Sequence, residues 1–345
     1  MADAVQGSIG HLAEPTAPEA PVLEDIRKPW PARIRPGYLA ILIVLLVFPF
    51  ISTGYPLTVL TEVLIFGLFA MSLDVILGYA GMPSFGHAAF FGLGAYGTAV
   101  LAAKLGQSNL AVTLSVTLAL TAVLALIIGA LAIRTSGVYF LMITLAFAQM
   151  VYAAATKWTP LTGGSNGLPG VRRPTIFIPG IETTDPKAFY LFVVVVFALS
   201  FFVLHRLVNS PFGRSLVGIR ENEVRMRAMG YGVQRYKLAA FVVGAMFGGV
   251  AGLLWATFNS FISPPDVYWT QSGTVLLMVL LGGSGTLVGP VLGAAFFQVL
   301  ELVLSSKTEH WQIVLGAVFV IFIMFVRRGL MGIWAQFLSL RRGHA

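Results

Sequence analysis

From residue 38 to residue 326 the chain alternates apolar runs with short polar or glycine-rich interruptions. A helix crossing a bilayer needs about 20 apolar residues, because each adds roughly 1.5 Å against about 30 Å of hydrocarbon. On that measure the pattern predicts helices near 38–53, 57–77, 84–103, 110–133, 137–155, 188–205, 237–258, 273–283, 288–304 and 311–326. The pieces 273–283 and 288–304 are short, and Gly282, Gly283, Gly285, Gly289 and Pro290 lie between or within them. They form either two crossings or one tilted or re-entrant segment, which leaves about eight to ten crossings in all. The expected fold class is an all-α polytopic membrane protein with glycine-rich helix breaks.

Two interruptions are long. The segment 156–187 holds TGGSNGLPG at 162–170, turn chemistry suited to an ordered loop. The segment 206–236 is too polar for lipid, and its stretch 214–229 predicts one short amphipathic helix with Leu216, Ile219, Val224 and Met226 on one face. Residues 1–36 carry six prolines and scattered acids without an apolar period, and read as a disordered tail rather than a signal peptide. Residues 37–335 then form the transmembrane domain and 336–345 a basic tail.

Composition agrees with this pattern: 57% of residues are apolar, 10% are charged and the mean hydropathy is +0.86. The net charge of +8 does not indicate nucleic acid, because the basic residues cluster between apolar runs. With the N-terminus inside, 16 of the 22 basic residues fall on the cytoplasmic side, seven of them in 206–237. Trp158, Tyr268, Trp269 and Trp311 then mark the outer ends of spans, while Trp30 and Trp334 flank inner ones. The expected topology is cytoplasmic at both termini and at 206–236, and periplasmic at 156–187, in a bacterial inner membrane. There is no cysteine, so disulfides and thiolate metal sites are excluded.

Candidate chemistry is sparse. Gly78, Gly81, Pro83, Ser84, Gly86 and His87 interrupt the run between the second and third helices, and Gly282, Gly283 and Gly285 do so in the C-terminal half. Broken helices at membrane depth are tolerated where the freed backbone meets protein or a water-filled pathway, and a break in each half suggests a repeat-built transporter. Plain close packing by small residues is the competing reading of the glycines. Asp74 is the one acid well inside a predicted helix, and either makes a structural hydrogen bond to a broken helix or lines the solute pathway. Glu62 and Glu301 fall near span ends. Gly244, Gly248 and Gly252 recur at four-residue spacing and predict a packing seam. The five histidines lack metal-ligand spacing, no catalytic constellation is visible, and there is no GxxxxGK[ST] loop, so no cofactor is expected in this chain and any ATP belongs to another polypeptide.

GYAGMPSFGHAAFFGLGAYG (78–97), TGGSNGLPGV (162–171), SPFGRSLVGIRENEVRMRAMGYGVQRYKLAAFVVGAMFGGVAGLL (210–254) and LLGGSGTLVGPVLGAAF (280–296) together resemble the LivM-type branched-chain amino acid ABC permease family. Urea and amide ABC permeases share much of the pattern. The resemblance implies a non-enzymatic permease subunit of an importer for branched-chain amino acids or a similar small polar solute. It implies as partners a second related permease, two ATP-binding cassette ATPase subunits and a periplasmic solute-binding protein, all in a lipid bilayer and without nucleic acid. It places a coupling helix over Gly218, Arg220, Glu221, Asn222, Glu223, Arg225, Arg227 and Gly230, where it would dock on the ATPase. The competing class is an ion-coupled secondary transporter, which needs paired intramembrane acids or a cation site; a membrane-embedded enzyme would need clustered polar residues.

Overall fold

A computed structural model describes residues 36–52, 54–173, 185–325 and 329–332. The expected tails lie outside these residues except for Pro36, which opens the first helix.

Each predicted apolar window holds a helix. They are α1 (Pro36–Ile51), α2 (Tyr55–Asp74), α3 (His87–Ala99), α4 (Leu110–Ala132), α5 (Val138–Lys157), the single turn α6 (Thr159–Thr162), α7 (Pro186–Val208), α8 (Pro211–Glu221), α9 (Glu223–Ala228), α10 (Val233–Asn259), α11 (Trp269–Gly282), α12 (Val288–Ser305) and α13 (Trp311–Phe325). Two helices end in π turns: α2 continues through Val75–Tyr79 and α3 through Val100–Lys104. Counting the π turn of α2, six helices are long and apolar enough to cross a membrane: α2, α4, α5, α7, α10 and α12.

Local chemistry sets the boundaries. Asn109 caps α4 by accepting from Ala111 N at 2.9 Å, and Asp185 caps α7 by accepting from Lys187 N at 3.3 Å, with Pro186 next in line. Gly283, at φ 107°, stops α11 in a conformation closed to other residues.

The centre of the bundle is α2, buried on nearly all sides from Val63 to Asp74 and packed against α7, α10, α11 and α12. Lipid tails are as apolar as leucine, so helices in a membrane associate by close fit rather than by removal of apolar area from water. The predicted glycine seam provides that fit where α10 crosses α2 and α3. A Cβ on Gly252 would strike Phe91 O, one on Gly94 would strike the Gly249 backbone, and one on Gly248 would press on His87 Nε2 at 3.2 Å. The outward faces of α4, α7 and α13 keep exposed leucine, isoleucine, valine and phenylalanine, as a lipid-facing surface requires.

The polar segments are ordered where described. In the loop after α5, Leu168 and Pro169 pair antiparallel with Ile262 and Phe261, tying that loop to the end of α10. The stretch expected to be one helix over 214–229 is instead two, α8 and α9, meeting at Asn222 (φ −156°, ψ 94°), whose side chain caps α9 by accepting from Arg225 N at 2.9 Å. The turn rearranges the expected face: Leu216, Ile219 and Met226 are buried, whereas Val224 is 78% exposed.

Candidate functional site at the helix breaks

Asp74, the last α-helical residue of α2, is fully buried and accepts Gly285 N at 2.7 Å and Leu287 N at 3.2 Å. The carboxylate thereby satisfies amides freed where the chain breaks between α11 and α12. Leu287 is 1% exposed and is held at φ 55°, ψ −44°, the centre of a γ-turn closed by Val288 N donating to Thr286 O at 2.7 Å, a rare backbone conformation that costs about 1–3 kcal/mol. Its N–H bond to Asp74 holds that strained corner in place.

Gly78, inside the π turn, is the contact surface for the same break. A Cβ there would fall on the Asp74 carboxylate and on the Gly285 backbone, so only glycine admits this approach. The Gly78 carbonyl, directed away from its own helix, accepts a hydrogen bond from Arg220 Nη1 near the end of α8. The aliphatic stem of Arg220 also fills the place where a Cβ on Gly81 would stand. Asp74, Gly78, Gly81, Gly285 and Arg220 thus form one junction joining both glycine-rich breaks to α8.

The other break residues lie apart from it. Ser84 Oγ accepts Gly86 N at 3.1 Å, and Ser272 of α11 accepts Ala88 N at 2.8 Å, so together they satisfy free donors at the start of α3. His87 is fully buried, stacks on Phe69 at 5.3 Å and lies 2.7 Å through Nε2 from Ser72 Oγ. Ser72 Oγ also lies 2.6 Å from Phe69 O, and among the described residues His87 Nδ1 has no hydrogen-bond partner. Gly282 packs against the Gly289 carbonyl, where no Cβ would fit.

The α8–α9 corner presents two faces. Inward, Arg220 reaches Gly78, Gly218 makes room for Met226, and Glu223 bonds Lys237 Nζ and Arg227 Nη2, each at 2.6 Å. Burial pushes the Glu223 carboxyl up, but its hydrogen bond to Lys237 and the charges of Lys237 and Arg227 outweigh this and hold it below the ordinary glutamate value. Outward, Glu221, Asn222, Val224, Arg225 and Met229 are exposed, and Gly230 (φ 85°) turns the chain toward α10. The pattern of charges does not separate these faces: Arg220, although exposed, reaches the Gly78 carbonyl, and the half-buried Glu223 bonds Lys237. Lys237, Leu287, Ser72 and Ser272 escaped the sequence reading. Lys237 had a signal, as a charge at the start of an apolar helix; the serines and leucine had none.

Among the described residues no group of three or more histidine, cysteine or acidic side chains is placed to hold a metal. Glu62, in the first half of α2, and Glu301, near the end of α12, take no part in the junction around Asp74.

A bundle of apolar helices broken by glycine on either side of a buried carboxylate defines a polytopic all-α membrane permease. Residues 55–323 match the family described as branched-chain amino acid transport system / permease component, and the chain belongs to that family. It is 28% identical over 330 residues to the high-affinity branched-chain amino acid transport system permease proteins LivM of Salmonella typhimurium and of Escherichia coli, covering 89% of this chain and 77% of each relative. It is 22% identical over 291 residues to LivH of Salmonella typhimurium, covering 77% of this chain and 91% of LivH. A shorter similarity, 28% over 194 residues and 52% of this chain, is to the autoinducer 2 import system permease protein LsrC of an Enterobacter strain. No solved structure matches.

Proposed function

We propose that this chain is one membrane-spanning subunit of an ATP-binding cassette importer that carries branched-chain amino acids, or a similar small polar solute, into the cytoplasm of a bacterium across its inner membrane. One observation carries the reading. A charged corner outside the bundle, α8–α9, offers an exposed face to a partner while its inner face grips the carbonyl of Gly78 and, through it, both helix breaks. A push on that corner reaches α2 and the α11–α12 break directly. Similarity to both LivM and LivH supports a heterodimer of related permeases. In this reading two ATPases dock on Glu221, Asn222, Val224, Arg225 and Met229, a periplasmic binding protein delivers solute near 156–187, and the termini and 206–236 are cytoplasmic. Asp74 and the break glycines shape the pathway by holding its backbone, while Ser84 and His87 sit at its second bend. The chain itself is no enzyme and holds no cofactor; ATP belongs to the partners.

The test is uptake of labelled leucine into proteoliposomes containing this chain with its second permease, ATPases and binding protein. Uptake should require internal ATP and every subunit. Uptake by this chain alone under a sodium or proton gradient would identify a secondary transporter instead. Orientation is read by placing single cysteines at Ser165 and Ser215: an impermeant thiol reagent should label the first, and not the second, in intact spheroplasts.

A further inference from the structure

The helix α11 has 14 residues, about 21 Å of length, too short to cross a hydrocarbon core of about 30 Å. Its first turn lies inside the bundle. Ser272 Oγ accepts Ala88 N, and Val267, just before α11, fills the place that a Cβ on Gly92 would take. Along α3 and its π turn, Ala88 and Gly92 stand about 24 Å and about 18 Å from the exposed Lys104 at the far end. Tyr268 and Trp269, expected to mark the outer end of a span, therefore lie at membrane depth.

Four rings run in series there. Tyr152 of α5 meets Tyr268 at 4.8 Å between centroids, Tyr268 meets Trp269 at 5.9 Å, and Trp269 meets Phe85 of the first glycine break edge-on at 6.1 Å. All four are half-buried, and Thr270 beside them is exposed. Among the described residues none bonds the hydroxyl of Tyr152, the hydroxyl of Tyr268 or the indole N–H of Trp269. Hydrocarbon leaves such groups unsatisfied at a cost of several kcal/mol each, so a face carrying three of them at this depth meets water. We infer that Phe85, Tyr152, Tyr268 and Trp269 form one wall of the route by which the solute passes the first helix break, with the solute's aliphatic side chain lying on the ring faces. The inference rests on the importer reading above. The rings offer apolar faces to a branched side chain and polar tips to the solute's polar end. The series ends at Phe85, next to Gly86, where α3 begins.

The chain has no cysteine, so a single thiol can report its surroundings once the partner subunits are made cysteine-free. In the assembled transporter in nanodiscs, Thr270→Cys should react with a small charged methanethiosulfonate at least tenfold faster than Ile127→Cys. Ile127 is 53% exposed on the outward face of α4, and a thiol in hydrocarbon does not ionise. Equal rates overturn the wall, because lipid or a neighbouring protein then covers it. Trp269→Ala and Tyr152→Ala are next assayed in proteoliposomes with leucine-loaded binding protein. Each should lower the leucine moved per ATP hydrolysed about tenfold, the scale of a lost apolar contact, while melting and ATPase copurification stay parental. Tyr152→Phe keeps the ring and should transport like the parent; a loss equal to that of Tyr152→Ala overturns the ring-face contact. Parental leucine per ATP in both alanine variants overturns the role in transport. A loss that comes with lowered melting in both assigns the rings to packing and overturns it too. If the parent itself takes up no leucine, the importer reading fails, and the ratio of thiol rates still decides whether the rings face water.

Discussion

Replacing Asp74 tests the junction most directly. In Asp74→Leu the side chain keeps its branched shape with bulkier methyls in place of the oxygens, and Gly285 N and Leu287 N lose their acceptor. A buried donor left unsatisfied costs about 1–3 kcal/mol, so the two together cost about 2–6 kcal/mol. The strained Leu287 corner loses its restraint as well. Asp74→Asn keeps one oxygen, which can hold the shorter bond to Gly285 N, but turns an NH₂ toward one amide, so its cost should be about half as large. The assay pairs apparent melting temperature of the detergent-purified transporter with ATP-driven leucine uptake in proteoliposomes. Asn should melt slightly below the parent and retain substantial uptake, whereas Leu should lose both. The reasoning fails if Leu is as stable as the parent. It fails differently if Asn abolishes uptake at unchanged stability and intact partner binding, because the charge itself would then serve the solute.

Three further outcomes are expected. Gly252→Ala should cut the yield of folded protein sharply, since its new methyl would overlap Phe91 O; normal expression and uptake would mean that α3 and α10 do not meet there. Val224→Asp and Met229→Asp change residues that are 78% and 58% exposed, so they should leave the bundle's melting unchanged while reducing copurification of the ATPases at least severalfold; undiminished copurification would move the docking face elsewhere. Glu223, with its carboxyl held low by Lys237 and Arg227, stabilises the corner above the ordinary glutamate range near 4.5 and loses that contribution as pH falls below it. Protease nicking of the α8–α9 corner in Glu223→Gln should therefore exceed the parent's at pH 7, and the difference should vanish on acidification past the folded value; a pH-independent difference would refute the ion pair.

Apolar run length made the helices legible, because a single segment of about 20 apolar residues satisfies its own backbone in hydrocarbon only as a helix. The seam of Gly244, Gly248 and Gly252 was legible for the same reason: four-residue spacing fixes a face. Asp74 makes the hydrogen bonds to a helix break that one of its two readings called for, with Gly285 N and Leu287 N as donors. The partner amides were out of reach, since they lie 211 and 213 residues away and belong to backbone, which every residue has. Val224 was misplaced because helical periodicity was carried through Asn222, where a side-chain cap restarts the helix in a new direction. Arg220 and Glu223 looked like surface charges until tertiary structure supplied Gly78 O and Lys237.

The π turn at Val75–Tyr79 holds one more residue than an α turn would, and so stores slack in the middle of the junction. If that surplus residue were released and the turn rewound as α, everything beyond it would shift by about 1.5 Å and rotate by about 100° about the helix axis. Gly78, which carries the carbonyl gripped by Arg220 and the bare face against Gly285, lies within that turn. One step of register would thus exchange both contacts at once without melting α2. Such a rewinding would move the helix end by one discrete step rather than by degrees.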